Sequence, residues 1–326
     1  MTLDDRWWLA GAALALGLGF LGPHVELQRP RFEHVVVLDI TQSMNVPDTQ
    51  LDGRPAARLE FAKRALHDAL PELPCGGKLG LGVFTEYRSY LLFAPVEVCA
   101  NRAELRAAID HVDATMAWSG NSEVAKGLHS AVGIAKALPG VPSLLFVTDG
   151  HEAPPLNPRH RPHFDDKPGE VAGLLLGVGE ARPTPIPKID PSGRPLGVWG
   201  ADEVLQTDPR SQGRGASVGG EAMVESDPAP ADVGLGTTPG SEHLSGLREP
   251  YLRLLAAEGG FGFRRLRTPD DLLAALRDPA LARPLAVQAD ARGALAALAL
   301  GLLLVPLARG VSSRWRARRA RTRASR

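Results

Sequence analysis

Val35-Val36-Val37-Leu38-Asp39-Ile40-Thr41-Gln42-Ser43-Met44 decides how the rest of the chain is read. Four apolar residues, three of them β-branched, end in an aspartate. Such a run without alternation reads as a strand buried on both faces, as in the middle of a parallel sheet. Asp39, Thr41 and Ser43 then stand just past its carboxyl end, where open α/β sheets place their ligand sites. One carboxylate and two hydroxyls are hard oxygen donors, suited to Mg²⁺, Ca²⁺ or Mn²⁺ and poorly suited to zinc.

The same grammar returns at Leu144-Leu145-Phe146-Val147-Thr148-Asp149-Gly150, a second buried strand ending in an aspartate. Between the two strands lies Ser119-Gly120-Asn121-Ser122. It leads into a helix with Val124, Leu128, Ala131 and Ala135 on one side. Ser122 alone would read as a helix cap. Upstream, Leu59, Ala62, Ala65, Leu66, Ala69 and Leu70 fall at helical spacing and predict an amphipathic crossover helix ending at Pro71. Asn101-Arg-Ala-Glu104 predicts a capping box and a helix to about Asp113. A strand is expected at Leu174–Val178. A Gly- and Pro-rich stretch without periodicity follows, from about 180 to 246, and should emerge on the same edge as Asp39 and Asp149. A helix at Leu247–Ala257, a strand at Phe261–Leu266 and a helix opened by Thr268-Pro269 complete the pattern.

Cys75 and Cys99 are the only cysteines. They flank Lys78–Phe84 and Ser89–Val96, two strand-like runs equidistant from Tyr87. An antiparallel hairpin would bring them together at its open end as a disulfide, the alternative being two buried thiols. His151, His160 and His163 share one Pro-rich loop with Glu152 and Asp165. Their spacing matches no ligand register and reads as a solvated loop.

Of 326 residues, 44% are apolar and 23% charged, ordinary for a globular protein. The zero net charge conceals a division. Residues 309–326 hold eight arginines and no acid, leaving 29 basic against 37 acidic residues elsewhere. A basic tail beside an apolar run (Gly293–Ala308) predicts contact with membrane lipid and no nucleic-acid binding. A second apolar run covers Trp7 to Gly22. Each is short of the roughly 20 residues that span a bilayer, with Arg309 and flanking tryptophans expected to make up the difference. A cleaved signal peptide is the alternative for the first run; Asp4 and Asp5 argue against it. The expected organisation is an anchor at 1–23, the α/β domain at 24–285, a second span at 286–310 and a cytoplasmic tail at 311–326. The domain is then placed in the periplasm of a bacterial inner-membrane protein.

Asp39-x-Thr41-x-Ser43, Ser122 and Asp149-Gly150 together resemble the metal-ion-dependent adhesion site (MIDAS) of von Willebrand factor A (vWA) domains. The family pattern is Asp-x-Ser-x-Ser, a distant Thr and a distant Asp; here Thr41 and Ser122 exchange places with Ser and Thr and keep the hydroxyl oxygen. The resemblance implies an α/β, Rossmann-like, mostly parallel six-stranded sheet, its third strand antiparallel, with helices on both faces. It implies that the hydroxyls meet the ion directly and the aspartates often through water. The ion then has an open position for a carboxylate of another protein, which means binding and no catalysis.

A narrower resemblance rests on Asp39-Ile-Thr-Gln-Ser-Met-Asn45, Val83-Phe-Thr-Glu-Tyr-Arg-Ser89, Pro95-Val-Glu-Val-Cys99, Phe146-Val-Thr-Asp-Gly-His-Glu-Ala-Pro-Pro155 and Gly197-Val-Trp-Gly-Ala-Asp-Glu-Val204. These look like the MxaL-type membrane-anchored vWA proteins of methanol-oxidation clusters. That family implies a role in maturation, including calcium loading, of periplasmic PQQ-dependent methanol dehydrogenase, with the enzyme or its maturation subunits as client. Two other readings are a Bat-like vWA partner of a MoxR-type AAA+ ATPase, and a metal-dependent hydrolase using His151 or Glu152 as base.

Overall fold

The computed structural model describes residues 3–156, 161–190, 192–204, 221–223, 241–305 and 307–308. The chain divides into two compact units, one of residues 31–283 and one formed by both terminal segments.

In the larger unit, β1 (Glu33–Asp39) is buried at every residue, as an uninterrupted Val-Val-Val-Leu run requires. It is followed by α1 (Arg58–Ala69), β2 (Lys78–Thr85), β3 (Arg88–Glu97), α2 (Arg102–Asp110), α3 (Val124–Ala137), β4 (Ser143–Thr148), β5 (Gly173–Val178), α4 (Glu249–Gly259), β6 (Gly262–Leu266) and α5 (Pro269–Leu276). The six strands form one sheet in the order β6-β5-β4-β1-β2-β3. All neighbours are parallel except β2 and β3. The chain grows from β1 through β2 to β3 on one side, then crosses to β4 and grows outward on the other. The carboxyl ends of β1 and β4 therefore stand at the topological switch point, the crevice where such sheets bind ligands.

Strand alternation divides the core. Val36 and Leu38 pack with α1, α2 and α5, including Leu59, Leu66, Leu105, Ile109 and Leu272. Val35 and Val37 face α3 and α4, against Val124, Leu128, Tyr251 and Leu252. The apolar positions read by period in α1 and α3 are all buried. Two local expectations differ. Asn101 precedes α2 but makes no side-chain cap, because its amide turns back to the Glu97 carbonyl at 2.9 Å. The Gly- and Pro-rich stretch is partly regular: Thr184–Pro185 pairs with Leu244–Ser245, and Pro187–Ile189 pairs with Pro195–Val198. Residues 205–220 and 224–240 of it lie outside the described residues, as does His160 in the loop after β4.

Cys75 and Cys99 form a disulfide across the open end of the β2–β3 hairpin, with Cα atoms 5.2 Å apart. The hairpin register pairs Thr85 with Arg88 around a Glu86-Tyr87 turn and, after two irregularities between Leu79 and Gly82, Lys78 with Glu97, so the strands are not strictly symmetric about Tyr87.

His34 of β1 is buried, and its Nε2 is 2.9 Å from the Leu276 carbonyl, to which the neutral ring donates. Burial outweighs that bond and pushes the imidazole down to about 4. A depressed histidine contributes stability that is fully present above the unfolded value near 6.5 and is lost as pH falls toward 4. The slope over that window is at most about 1.4 kcal/mol per pH unit, about 3 kcal/mol in all. Denaturant melts of His34→Gln are expected to be flatter than wild type between pH 6.5 and 4.5. Parallel profiles would exclude His34 as the source.

In the terminal unit, helix Leu3–Phe20 packs Ala12 and Ala15 against Ala299 of the helix over 292–305. Strands His24–Arg31 and Arg283–Asp290 pair, and Ala291 N–H donates to the Pro23 carbonyl at 3.0 Å. Two full spans were expected here, yet among the described residues no helix is long and apolar enough to cross a membrane. Asp4, Asp5 and Arg6 occupy the first turn, and the helix ends at Phe20, with three residues between it and the strand that begins at His24. The apolar part from Trp7 to Phe20 is about 21 Å long at 1.5 Å per residue, against a hydrocarbon core of about 30 Å.

Candidate metal centre

Asp39, Thr41, Ser43, Ser122 and Asp149 are brought to the same sheet edge, and all five are buried. Asp39 ends β1 beside Thr148, the last residue of β4. The Asp39 carboxylate accepts the Thr41 N–H at 2.9 Å and the Thr41 hydroxyl at 2.7 Å on one oxygen. Its other oxygen accepts the Thr148 hydroxyl at 2.6 Å. Thr41 Oγ1 lies 3.3 Å from Ser43 Oγ, so alternate residues after the strand place their hydroxyls together.

Ser122 arrives from the opposite side. Its backbone bridges two loops: its N–H donates to the Ala153 carbonyl at 2.6 Å, and Ala153 N–H returns to the Ser122 carbonyl at 2.8 Å. The next residue, Glu123, donates to the Glu86 carbonyl at 2.6 Å. α3 begins at Val124 with no side-chain cap, so capping does not account for Ser122. Among the described residues its buried Oγ has no hydrogen-bond partner.

Asp149 follows β4 and turns at Gly150, whose φ of +77° favours glycine. One carboxylate oxygen accepts the His151 N–H at 2.9 Å; the other accepts Ser245 Oγ at 2.7 Å and the guanidinium of Arg58. Arg58 is the principal residue that reading the sequence missed. Fully buried, it also forms a two-point pair with Asp48 at 2.9 and 2.6 Å, touches the Ser43 carbonyl at 3.3 Å and donates to Ser245 Oγ at 2.7 Å. Gly179, at φ +106°, makes room for it: a Cβ there would lie 2.4 Å from Arg58 Nε. One signal was available. Arg58 is the first residue of α1, where the helix dipole disfavours a cation, so another interaction must hold it.

The two aspartates are unequal. Burial, followed by the negative charge of Asp149, pushes the Asp39 carboxyl up to about 7. Burial acts the same way on Asp149, but Arg58 and the donors from His151 and Ser245 hold it below the usual carboxylate range. A cation near Asp39 would reverse the upward push.

Thr41, Ser43 and Ser122 line a cavity of about 160 Å³ together with Gln42, His151, Ile186, Trp199, Glu203 and Glu242. The expectation that the Gly- and Pro-rich stretch reaches the metal-bearing edge is met by the last four. Clustered hydroxyls, an orphaned buried Ser122 Oγ and a carboxylate lacking a cationic partner fit a hard divalent ion. Ser43 and Ser122 could hold it directly, with Asp39 and Asp149 reached through water. The only group of three His, Cys, Asp or Glu residues close enough to share an ion among the described residues is Cys75, Glu97 and Cys99, and its sulfurs are already bonded to each other.

His151 and Glu152 are buried, in contrast to the solvated loop expected there. Burial pushes His151 down to about 3 and Glu152 up to about 7. Glu152 accepts the Tyr251 hydroxyl at 2.5 Å and the Ala125 N–H at 3.0 Å and does not line the cavity.

No curated protein matches the chain in sequence. Among solved structures, BatB from Bacteroides thetaiotaomicron is 16% identical with a TM-score of 0.46, covering 75% of this chain and 95% of its own. An aerotolerance-related membrane protein from Bacteroides fragilis is also 16% identical with a TM-score of 0.46, covering 76% and 98%. A von Willebrand factor type A protein from Catenulispora acidiphila is 14% identical with a TM-score of 0.39, covering 77% and 42%. Residues 34–151 match the von Willebrand factor type A domain, a stretch that runs from within β1 to the loop after β4 and contains all five sequence-predicted ligands.

Proposed function

We propose that Asp39, Thr41, Ser43, Ser122 and Asp149 hold a Mg²⁺, Ca²⁺ or Mn²⁺ ion as an adhesion site, and that this site docks an acidic residue of a protein client. The observation that carries the reading is the convergence of three hydroxyls, one of them buried without a partner, beside a carboxyl raised by burial. When bound, the ion supplies the positive charge that a client carboxylate would meet. Uncharged hydroxyls in direct contact leave more of that charge for the client than carboxylates would. Binding is favoured over catalysis because Glu152, one of the two candidate bases, is turned toward Tyr251 and away from the cavity.

The resemblance to MxaL-type proteins supplies the client class: periplasmic methanol dehydrogenase or its maturation subunits. The placement proposed with it is a periplasmic domain held at the surface of the inner membrane. Two observations support that placement. The disulfide suits an oxidising compartment. The terminal helices also leave Trp7, Leu14, Phe20, Leu300 and Leu304 exposed, an apolar surface that a membrane would cover.

Asp39→Ala is expected to abolish metal-dependent co-purification of methanol dehydrogenase from membranes, and EDTA to do the same to wild type. Ser122→Ala removes an oxygen without removing a hydrogen bond, so it should weaken Mn²⁺ binding and leave the melting temperature within about 1 °C, as a change of under ~0.5 kcal/mol implies. Client capture that is unchanged in Asp39→Ala and in EDTA would overturn the adhesion-site reading.

A further inference from the structure

The cavity that Thr41, Ser43 and Ser122 share is also walled by Trp199, whose buried indole N–H meets no acceptor among the described residues. Backbone and ring are both held. The Trp199 backbone N–H donates to the Ile186 carbonyl at 3.0 Å, and Pro187 and Lys188 pair with Val198 and Gly197. The Lys188 ammonium lies 4.4 Å from the ring centroid and is itself bonded to Glu203. An indole N–H donates and cannot accept, so no cation satisfies it. A buried indole N–H ordinarily has a partner, and one without it costs free energy until an acceptor arrives.

Two unmet needs therefore share one cavity of about 160 Å³. The three hydroxyls call for a hard cation, and the Trp199 N–H calls for an acceptor. Neither carboxylate of the wall answers the second need. Glu203 accepts from Lys188 and from Gly200 N–H at 3.0 Å, and no oxygen of Glu242 is within hydrogen-bonding distance of the indole. An incoming carboxylate has two oxygens and answers both needs at once, one oxygen on the ion and one on the indole. An amide has a single oxygen, and its NH₂ group would face either the ion or the indole N–H. Pro154, Ile186 and Val204 add apolar wall, against which a short aliphatic stem packs.

We infer that Trp199 is a specificity-determining residue of this centre: its indole N–H donates to one oxygen of the client carboxylate whose other oxygen the ion receives. The inference rests on the adhesion-site reading above and names the residue of this chain that recognises the client's acidic side chain. The two-point grip selects a carboxylate over the corresponding amide, and it needs no movement of the chain.

The test uses the full-length protein in detergent with propionate as probe, which carries the carboxylate and two-carbon stem of a glutamate side chain. The Trp199 indole N–H resonance is identified by its loss in Trp199→Phe. Should that variant fold poorly, a protein with Trp7, Trp8, Trp118 and Trp315 replaced by Phe leaves it as the single indole signal. With Mg²⁺ present, propionate is expected to move this resonance downfield, and propionamide to leave it in place. Trp199→Phe should bind propionate about tenfold more weakly, the smaller end of what a hydrogen bond to a charged group supplies. That affinity is read from the fall in proton relaxivity as propionate displaces water from bound Mn²⁺. The Mn²⁺ affinity of Trp199→Phe, read from the free-ion EPR signal, should equal that of wild type, a split between ion and carboxylate that a merely structural role would not produce. Saturating propionate should also release co-purified methanol dehydrogenase from wild type; retention would overturn the inference. An indole resonance that propionate does not move in the Mg²⁺ form, or wild-type propionate affinity in Trp199→Phe, would overturn it with the metal site intact. An equal shift without metal would overturn it too, by removing the ion from the contact. A folded wild type that binds no Mn²⁺ would overturn the metal reading itself.

Discussion

Replacing Arg58 with methionine is expected to destabilise the domain by about 3–5 kcal/mol, the usual result of removing one partner of a buried ion pair. The side chain is fully buried, and it neutralises Asp149, also fully buried, together with Asp48. Methionine fills much of the volume but leaves Asp149 near Asp39 with no cation between buried carboxylates. For a unit of this size the melting temperature should fall by roughly 10 °C. The pH dependence follows. A carboxyl raised above its unfolded value lets the folded state bind the proton more tightly, so the deficit should be largest at pH 8 and shrink as pH falls below about 7. A second consequence separates structural from functional roles. With the guanidinium gone, Mg²⁺ can serve both aspartates, so millimolar Mg²⁺ should restore more stability to the variant than it adds to wild type. Arg58→Lys should be intermediate, since an ammonium keeps the charge and loses the two-point contact with Asp48. A melting temperature within 2 °C of wild type, with no pH or Mg²⁺ dependence, would remove Arg58 from the centre.

Arg58 also marks the limit of what the sequence discloses. Strand β1 and the helical periods of α1 and α3 are local patterns, so burial could be read from spacing alone. Asp39 and Asp149 were legible because parallel strands deliver their carboxyl ends to one edge whatever the loops do. Arg58 depends on partners 91 and 187 residues away, and no period encodes them. Glu242 was hidden for a different reason. A Gly- and Pro-rich stretch carries no alternation, and its course is set by pairings of two or three residues such as Thr184–Ser245. Ser122 shows the converse error. Hydroxyl before helix is a good cap pattern, yet its backbone is held by Ala153 and the loop at Glu86, which leaves the side chain for the cavity. At the termini, apolar composition suggested spans, while helix length is set by the paired strands that begin at His24 and end at Asp290.

Removing the disulfide with the double variant Cys75→Ala/Cys99→Ala is expected to destabilise the domain by about 3–4 kcal/mol, the loop-closure contribution for a separation of 24 residues. The bond lies at the amino end of β2, and the candidate centre lies past the carboxyl ends of β1 and β4. It closes the hairpin whose outer member, β3, is an edge strand held to the sheet by β2 alone. Opening it frees the ends of Lys78↔Glu97 pairing, where Glu97 also accepts N–H groups from Gly76 and Ala100 at 2.7 and 2.6 Å. The melting temperature should therefore drop by roughly 10 °C while the Mn²⁺ affinity of the folded protein stays at its wild-type value. Dithiothreitol should lower wild type to the level of the variant and leave the variant unmoved. That combination ties stability to the compartment: protein made where thiols stay reduced should melt like the variant, and protein exported to an oxidising space should not. An equal loss of metal affinity would mean that the hairpin end and the centre are coupled through the sheet. An unchanged melting temperature would mean that packing of β3 under α3, where Ser89 Oγ donates to the Gly127 carbonyl at 2.9 Å, already holds the edge without the bond.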